Sequence, residues 1–161
     1  MAIHKLHIDE FDETEYQLIA IHTTLEDYKL AYYINQKLPV LLARCKEDVS
    51  FYHKESKTQI PRFTYDDEIT ETSWNLIPNQ TEITIQNPVG ENLFNNDSDA
   101  ISTRIYVLPE FKKVDFLLKI EPCDDVTFVR NIITLLNTID KISTIYLIDK
   151  WQIKSKNNLI F

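Results

Sequence analysis

The sequence predicts an α+β domain with a largely antiparallel sheet of about seven strands and two packed helices. Three observations carry this. Short alternating apolar runs recur along the 161 residues, separated by turn-length gaps. Two stretches only have helical spacing of apolar residues. Several strand pairs are joined by connections too short for a crossover helix, which requires antiparallel neighbours. The length fits one domain spanning residues 1–161.

The elements follow in order. Residues 9–15 are an acidic lead-in. Tyr16–His22 alternates and reads as a strand. Thr23 and Glu26 have the spacing of a capping box, which starts a helix from about Leu25 to Lys37. Leu25, Tyr28, Tyr32 and Leu38 give that helix an apolar stripe, with Ala31 allowing close packing, and Pro39 stops it. Val40–Cys45 reads as a second, buried strand. Lys46-Glu47-Asp48 is a turn, and Val49–His53 returns as a third strand. Arg62–Asp66 and Ser73–Ile77, rich in aromatic residues, make a fourth and fifth.

Residues 78–100 change character. Their Asn, Pro, Gly and Asp content predicts an exposed acidic insertion loop, with a short strand over Thr81–Gln86. Ile101–Leu108 and Val114–Ile120 read as an antiparallel pair. Asp124 or Asp125 caps a second helix running to about Ile139, with Val126, Val129, Ile133 and Leu136 at helical spacing. Ser143–Ile148 is the last strand. The tail, Lys154–Phe161, is basic and then apolar.

Composition excludes several function classes. Gly90 is the only glycine. Phosphate loops of the Walker, dinucleotide and kinase types need glycines close together for the backbone to approach phosphate, so these are ruled out. Nucleophile elbows go with them. The net charge is −8, and residues 64–100 carry eight acidic side chains and no Lys or Arg. That balance argues against nucleic-acid binding, although Lys150, Lys154 and Lys156 with Trp151 form a small basic–aromatic patch. Cys45 and Cys123 are far apart and read as reduced, buried thiols. With no long apolar segment, the expectation is a cytoplasmic protein without a membrane span.

No pattern of titratable residues specifies chemistry. His4 and His7 lack further metal ligands nearby. Asn95–Asp99 resembles the start of a calcium loop, but the positions needing Gly and Glu hold Ala100 and Tyr106. Asp66, Asp67, Glu68 and Glu71 read as solvated charge at a strand end. Neither a metal nor a cofactor is expected.

The most specific stretch is Leu108-Pro109-Glu110-Phe111-Lys112-Lys113-Val114-Asp115-Phe116. Pro109 ends a strand or lies on an edge. Asp115 is a carboxylate inside a strand, suited to a register-fixing bond or to a ligand, with Arg104 a candidate partner. Pro109, Glu110, Val114 and Asp115 match the signature of the bacterial IPExxxVDY family, which the chain resembles. Leu108 stands for the Ile and Phe116 for the Tyr. Ile21–Tyr32 and Lys154–Phe161 look like blocks of the same family. The resemblance implies no cofactor and no catalytic residue.

Two functional expectations remain. The first is a non-catalytic interaction or adaptor module with an unidentified protein partner. Lys154, Lys156, Leu159, Ile160 and Phe161 would dock on that partner, unless the apolar end folds back onto its own sheet or core. The second is a small-ligand binder or enzyme using Glu110, Asp115, His22 and Tyr28, or an RNA-associated accessory protein.

Overall fold

A computed structural model describes residues 15–53, 56–86 and 100–161. His4, His7, Asn95–Asp99 and most of the expected 78–100 insertion lie outside the described residues.

The fold is α+β. Its main sheet has six antiparallel strands: β1 (Gln17–Thr23), β2 (Ala43–Arg44), β5 (Phe63–Asp67), β6 (Thr72–Pro78), β9 (Phe116–Glu121) and β10 (Ile142–Leu147). Their order is β10-β1-β9-β6-β5-β2. Two hairpins stand apart, one of β3 (Val49–His53) with β4 (Ser56–Ile60), the other of β7 (Gln80–Gln86) with β8 (Ala100–Tyr106). Helices α1 (Asp27–Lys37) and α2 (Val126–Leu136) cover one face.

The sheet separates two cores, and strand alternation decides which residue joins which. In β1, Ile19 and Ile21 face the helices, while Leu18 and Ala20 face the hairpins and the tail. In β9, Phe116, Leu118 and Ile120 face the helices, and Leu117 turns the other way. A strand buried on both faces has no polar side to show, which explains the near-continuous apolar runs.

Several sequence expectations need correction. Ile101–Leu108 and Val114–Ile120 do not pair. β8 pairs with β7, and β9 inserts between β1 and β6, where both its edges are hydrogen-bonded. A tight turn at Pro109–Phe111 separates the two strands and redirects the chain. The expected strand Val40–Cys45 shrinks to two residues, although Val40 and Leu42 are buried. The side chain of Asn35 holds Leu42 at both its amide and its carbonyl, in place of strand pairing. Ser56–Ile60 is a strand that periodicity missed. Within the expected insertion, Pro78 closes β6 and Asn79 is fully buried, while the short strand expected over Thr81–Gln86 is present as Gln80–Gln86.

Thr23 and Glu26 form no capping box. The Thr23 hydroxyl donates to the Lys141 carbonyl at 2.7 Å and accepts from the Leu25 amide at 3.1 Å. Thr23 is still strand, so α1 starts at Asp27. Its buried stripe is Leu30, Ala31, Ile34 and then Leu38, while Tyr28 and Tyr32 are exposed. The tyrosine hydroxyls were the missed signal, since each pairs with a solvent-facing neighbour: Tyr28 donates to Glu26 and Tyr32 accepts from Gln36. For α2 the cap is Asp125, whose carboxylate accepts the Thr127 and Phe128 amides. Val129, Ile132 and Leu136 are its buried residues.

Candidate functional site

The carboxylates singled out by sequence are spent within the fold. Glu110 accepts the Lys154 and Ser155 amides at 2.7 and 2.9 Å and the Ser155 hydroxyl at 3.1 Å. Burial pulls its carboxyl upward, but these donors and its own amide outweigh burial and hold it below the usual glutamate value. Asp115 accepts the Thr23 amide at 3.0 Å, and its own amide donates to the Ile21 carbonyl. Its partner is therefore the end of β1. Arg104 instead pairs with Glu82 across the β7–β8 hairpin.

The four candidate ligand-site residues are placed as follows. Asp115 lines a depression with Thr23 and Gln80. Glu110 lines another with Tyr146. His22 stacks on Tyr146, with ring centroids 5.7 Å apart. Tyr28 sits on the exposed side of α1, bonded to Glu26.

The basic and apolar tail residues also divide. Leu159 is 2% exposed and belongs to the hairpin-side core, where Phe161 packs as well. Two short turns, Lys150–Gln152 and Lys156–Leu159, replace the expected extended end. Ile160 is exposed, and so are Lys154 and Lys156.

Two residues that hold this region escaped sequence reading. Asn79 was counted as a loop former. Its side-chain amide donates to the Phe111 and Val114 carbonyls at 2.9 and 3.1 Å, and its oxygen accepts the Leu108 amide at 2.8 Å. Its backbone bonds Asp115 and Val107. One buried side chain thus satisfies the backbone on both sides of the Pro109 turn. Lys119 is the second. It is 5% exposed in the sheet centre, donates to the Leu159 carbonyl at 2.9 Å and pairs with Glu121 at 2.7 Å. Its ammonium lies over the rings of Tyr16 and Phe161. Alternation through an otherwise buried strand was the available signal.

Cys45 is not buried as expected. The amide of Glu47 and then the guanidinium of Arg62, at 3.6 Å from Sγ, hold its thiol below the ordinary value. Cys123 is buried, and burial pushes its thiol up.

The arrangement best suited to contact another molecule lies after β10. Ile148 keeps the chain on the sheet by donating to the Leu18 carbonyl at 2.8 Å. The Asp149 carboxylate then accepts the Trp151 amide at 3.0 Å and closes the turn. Ile153 returns to the core. Ile148 and Ile153 are 3% and 4% exposed, yet Trp151 between them is 93% exposed. Buried anchors on both sides hold the indole in water.

Beside Trp151 is an open cleft of about 470 Å³. Tyr16 and Gln17 form one wall, Ile148 and Val126 are apolar, and Lys150 and Lys156 are basic. Lys150 bonds Glu15 at 2.6 Å and lies over the Tyr16 ring at 5.4 Å. That bond holds the Glu15 carboxyl below its usual value. Gln17 is nearly buried and ties the wall down by donating to the Cys123 carbonyl at 3.3 Å. No group of three or more metal-ligating side chains occurs among the described residues, and no helix among them is long and apolar enough to cross a membrane.

No protein-family model, curated protein or solved structure matches the chain.

Proposed function

We propose that the chain is a cytosolic, non-catalytic interaction module that holds a protein partner through Trp151 and the adjoining cleft. The observation that carries this is the exposure of Trp151 between two buried anchors. A free indole in water is costly surface, and tryptophan is the side chain most enriched among residues that dominate binding energy. Val126, Leu147 and Ile148 give the cleft apolar lining, while Lys150 and Lys156 are matched there by Glu15 and Asp149, so it suits a segment bearing an apolar side chain rather than a strongly charged one.

The likeness to the IPExxxVDY family is part of this proposal. Glu110 and Asp115 then serve as structural residues of the motif, binding the tail and the end of β1, and the contact surface lies next to the tail that Glu110 holds.

The test is capture of partners from native cytosol on the immobilised full chain, compared with Trp151→Ala. The expected result is a stoichiometric protein that survives nuclease and binds the variant on the order of thirtyfold more weakly, as loss of about 2 kcal/mol requires. Melting should not change, because the indole packs little. Equal capture by both chains would sink the proposal. Loss of the partner on nuclease treatment would favour the RNA reading, through Lys150, Trp151, Lys154 and Lys156.

A further inference from the structure

The two edges of the main sheet are built differently. β2 closes one edge with only two residues, and Arg44 on it pairs with Asp48. A short, charged edge is the usual protection against strand addition. β10 forms the other edge with six residues, Ile142-Ser143-Thr144-Ile145-Tyr146-Leu147, none charged and none proline. Among the described residues, nothing pairs with its outer side.

The direction of its backbone groups can be read from the register. Ile145, Tyr146 and Leu147 face Ile21, Ala20 and Ile19 of β1, and the Ile148 amide bonds Leu18. In an antiparallel ladder, bonded and non-bonded positions alternate. Ile148, Tyr146 and Thr144 therefore point their amides and carbonyls at β1, and Ile145 and Leu147 point theirs outward. The register shift at His22/Thr23 leaves Ser143 outside the ladder register, with its hydroxyl donating to the His22 carbonyl at 2.9 Å, so the regular edge begins at Thr144.

We propose that the free edge of β10 pairs antiparallel with β10 of a second copy, about a two-fold axis at Ile145. Three features select a second copy over another strand. The outward backbone groups of Ile145 and Leu147 admit a bonded pair of Ile145 with itself, the self-complementary arrangement that a two-fold requires. Ile145 and Leu147 face the helix-side core, so pairing makes that core continuous across the axis. The flanking charges are self-complementary. Asp140 and Lys141 precede β10 and Asp149 and Lys150 follow it, so an antiparallel two-fold pairing brings the Lys141 end of each copy toward the Asp149 end of the other. For a chain of net charge −8, such local pairing offsets the general repulsion between copies. The same geometry brings Lys141 of one copy to the rim of the other's Trp151 cleft, because Asp149 lies on that rim. The pairing does not depend on the partner proposal, since it is read on purified protein without a partner.

Sedimentation of the purified full chain over the micromolar range tests it. The expected result is a dimer. Thr144→Lys places a charge on an exposed edge position and should leave a folded monomer, with an unchanged far-UV circular dichroism spectrum. Lys141→Glu and Asp149→Lys should each weaken the dimer at least tenfold, and the double reversal should restore it. A monomeric wild type overturns the proposal; if Thr144→Lys then also lowers melting, the chain covers its own edge. A dimer indifferent to Thr144→Lys also overturns it. Failure of the double reversal to restore association overturns the Ile145 register.

Discussion

Glu110 shows how a conspicuous side chain can be structural. Its carboxylate gathers two amides and a hydroxyl from the tail, which no uncharged acceptor would do as strongly. The folded carboxyl holds its proton less tightly than the unfolded one, whose value is about 4.3. Its stabilisation is therefore complete above that value and is lost as the pH falls through the lower folded value. Glu110→Gln should lower stability at neutral pH, and its gap from wild type should close below about pH 4.3. Urea titrations of both proteins from pH 7 to acid check this, and a constant gap would contradict it. Asn79, Lys119 and Asp115 follow the same logic, since each satisfies backbone groups that would otherwise be buried without partners.

At the scale of elements, the tail is the instructive case. Its composition fits a docking segment and fits a core segment equally well. What decides is the matching surface: Lys119 offers a buried donor to the Leu159 carbonyl, Asn158 donates to the Val107 carbonyl, and Leu159 fills the hairpin-side core. Removing residues 159–161 should lower the melting temperature by on the order of 5–10 °C, since deletion of one buried leucine costs roughly 2–5 kcal/mol. Partner capture through Trp151 should survive at temperatures where the shortened chain stays folded. Unchanged melting would mean that the tail contributes nothing to the core. The helices make a parallel point. Spacing located both, but the buried face of α1 was read about a quarter-turn away from the one observed. Tyr28 and Tyr32 have apolar rings, but their hydroxyls carry them to solvent.

Across the described residues, the sheet is a partition with one core on each side; β1 and β9 are buried on both faces almost throughout, and β6 over Trp74–Ile77. Amide hydrogen exchange should reflect this. β1 and β9 should exchange slowest, near the global unfolding limit, and the β3–β4 hairpin fastest, because Phe51 and Ile60 are its buried residues in the core. Equal protection of the hairpin and the centre would show that the layers unfold as one unit. The sequence by itself determined the α+β class, nine of the ten described strands in outline, the start of α2 at Asp124 or Asp125, and the exclusion by composition of glycine-dependent phosphate loops. These depend on local periodicity, capping and turn chemistry, which act over a few residues. Only the tertiary structure decided that β9 lies between β1 and β6, that Asn79 is buried, that the tail is part of the core, and that Trp151 stands in water. Those outcomes depend on which distant surfaces meet, because a strand's pairing and a polar group's satisfaction are set by partners dozens of residues away.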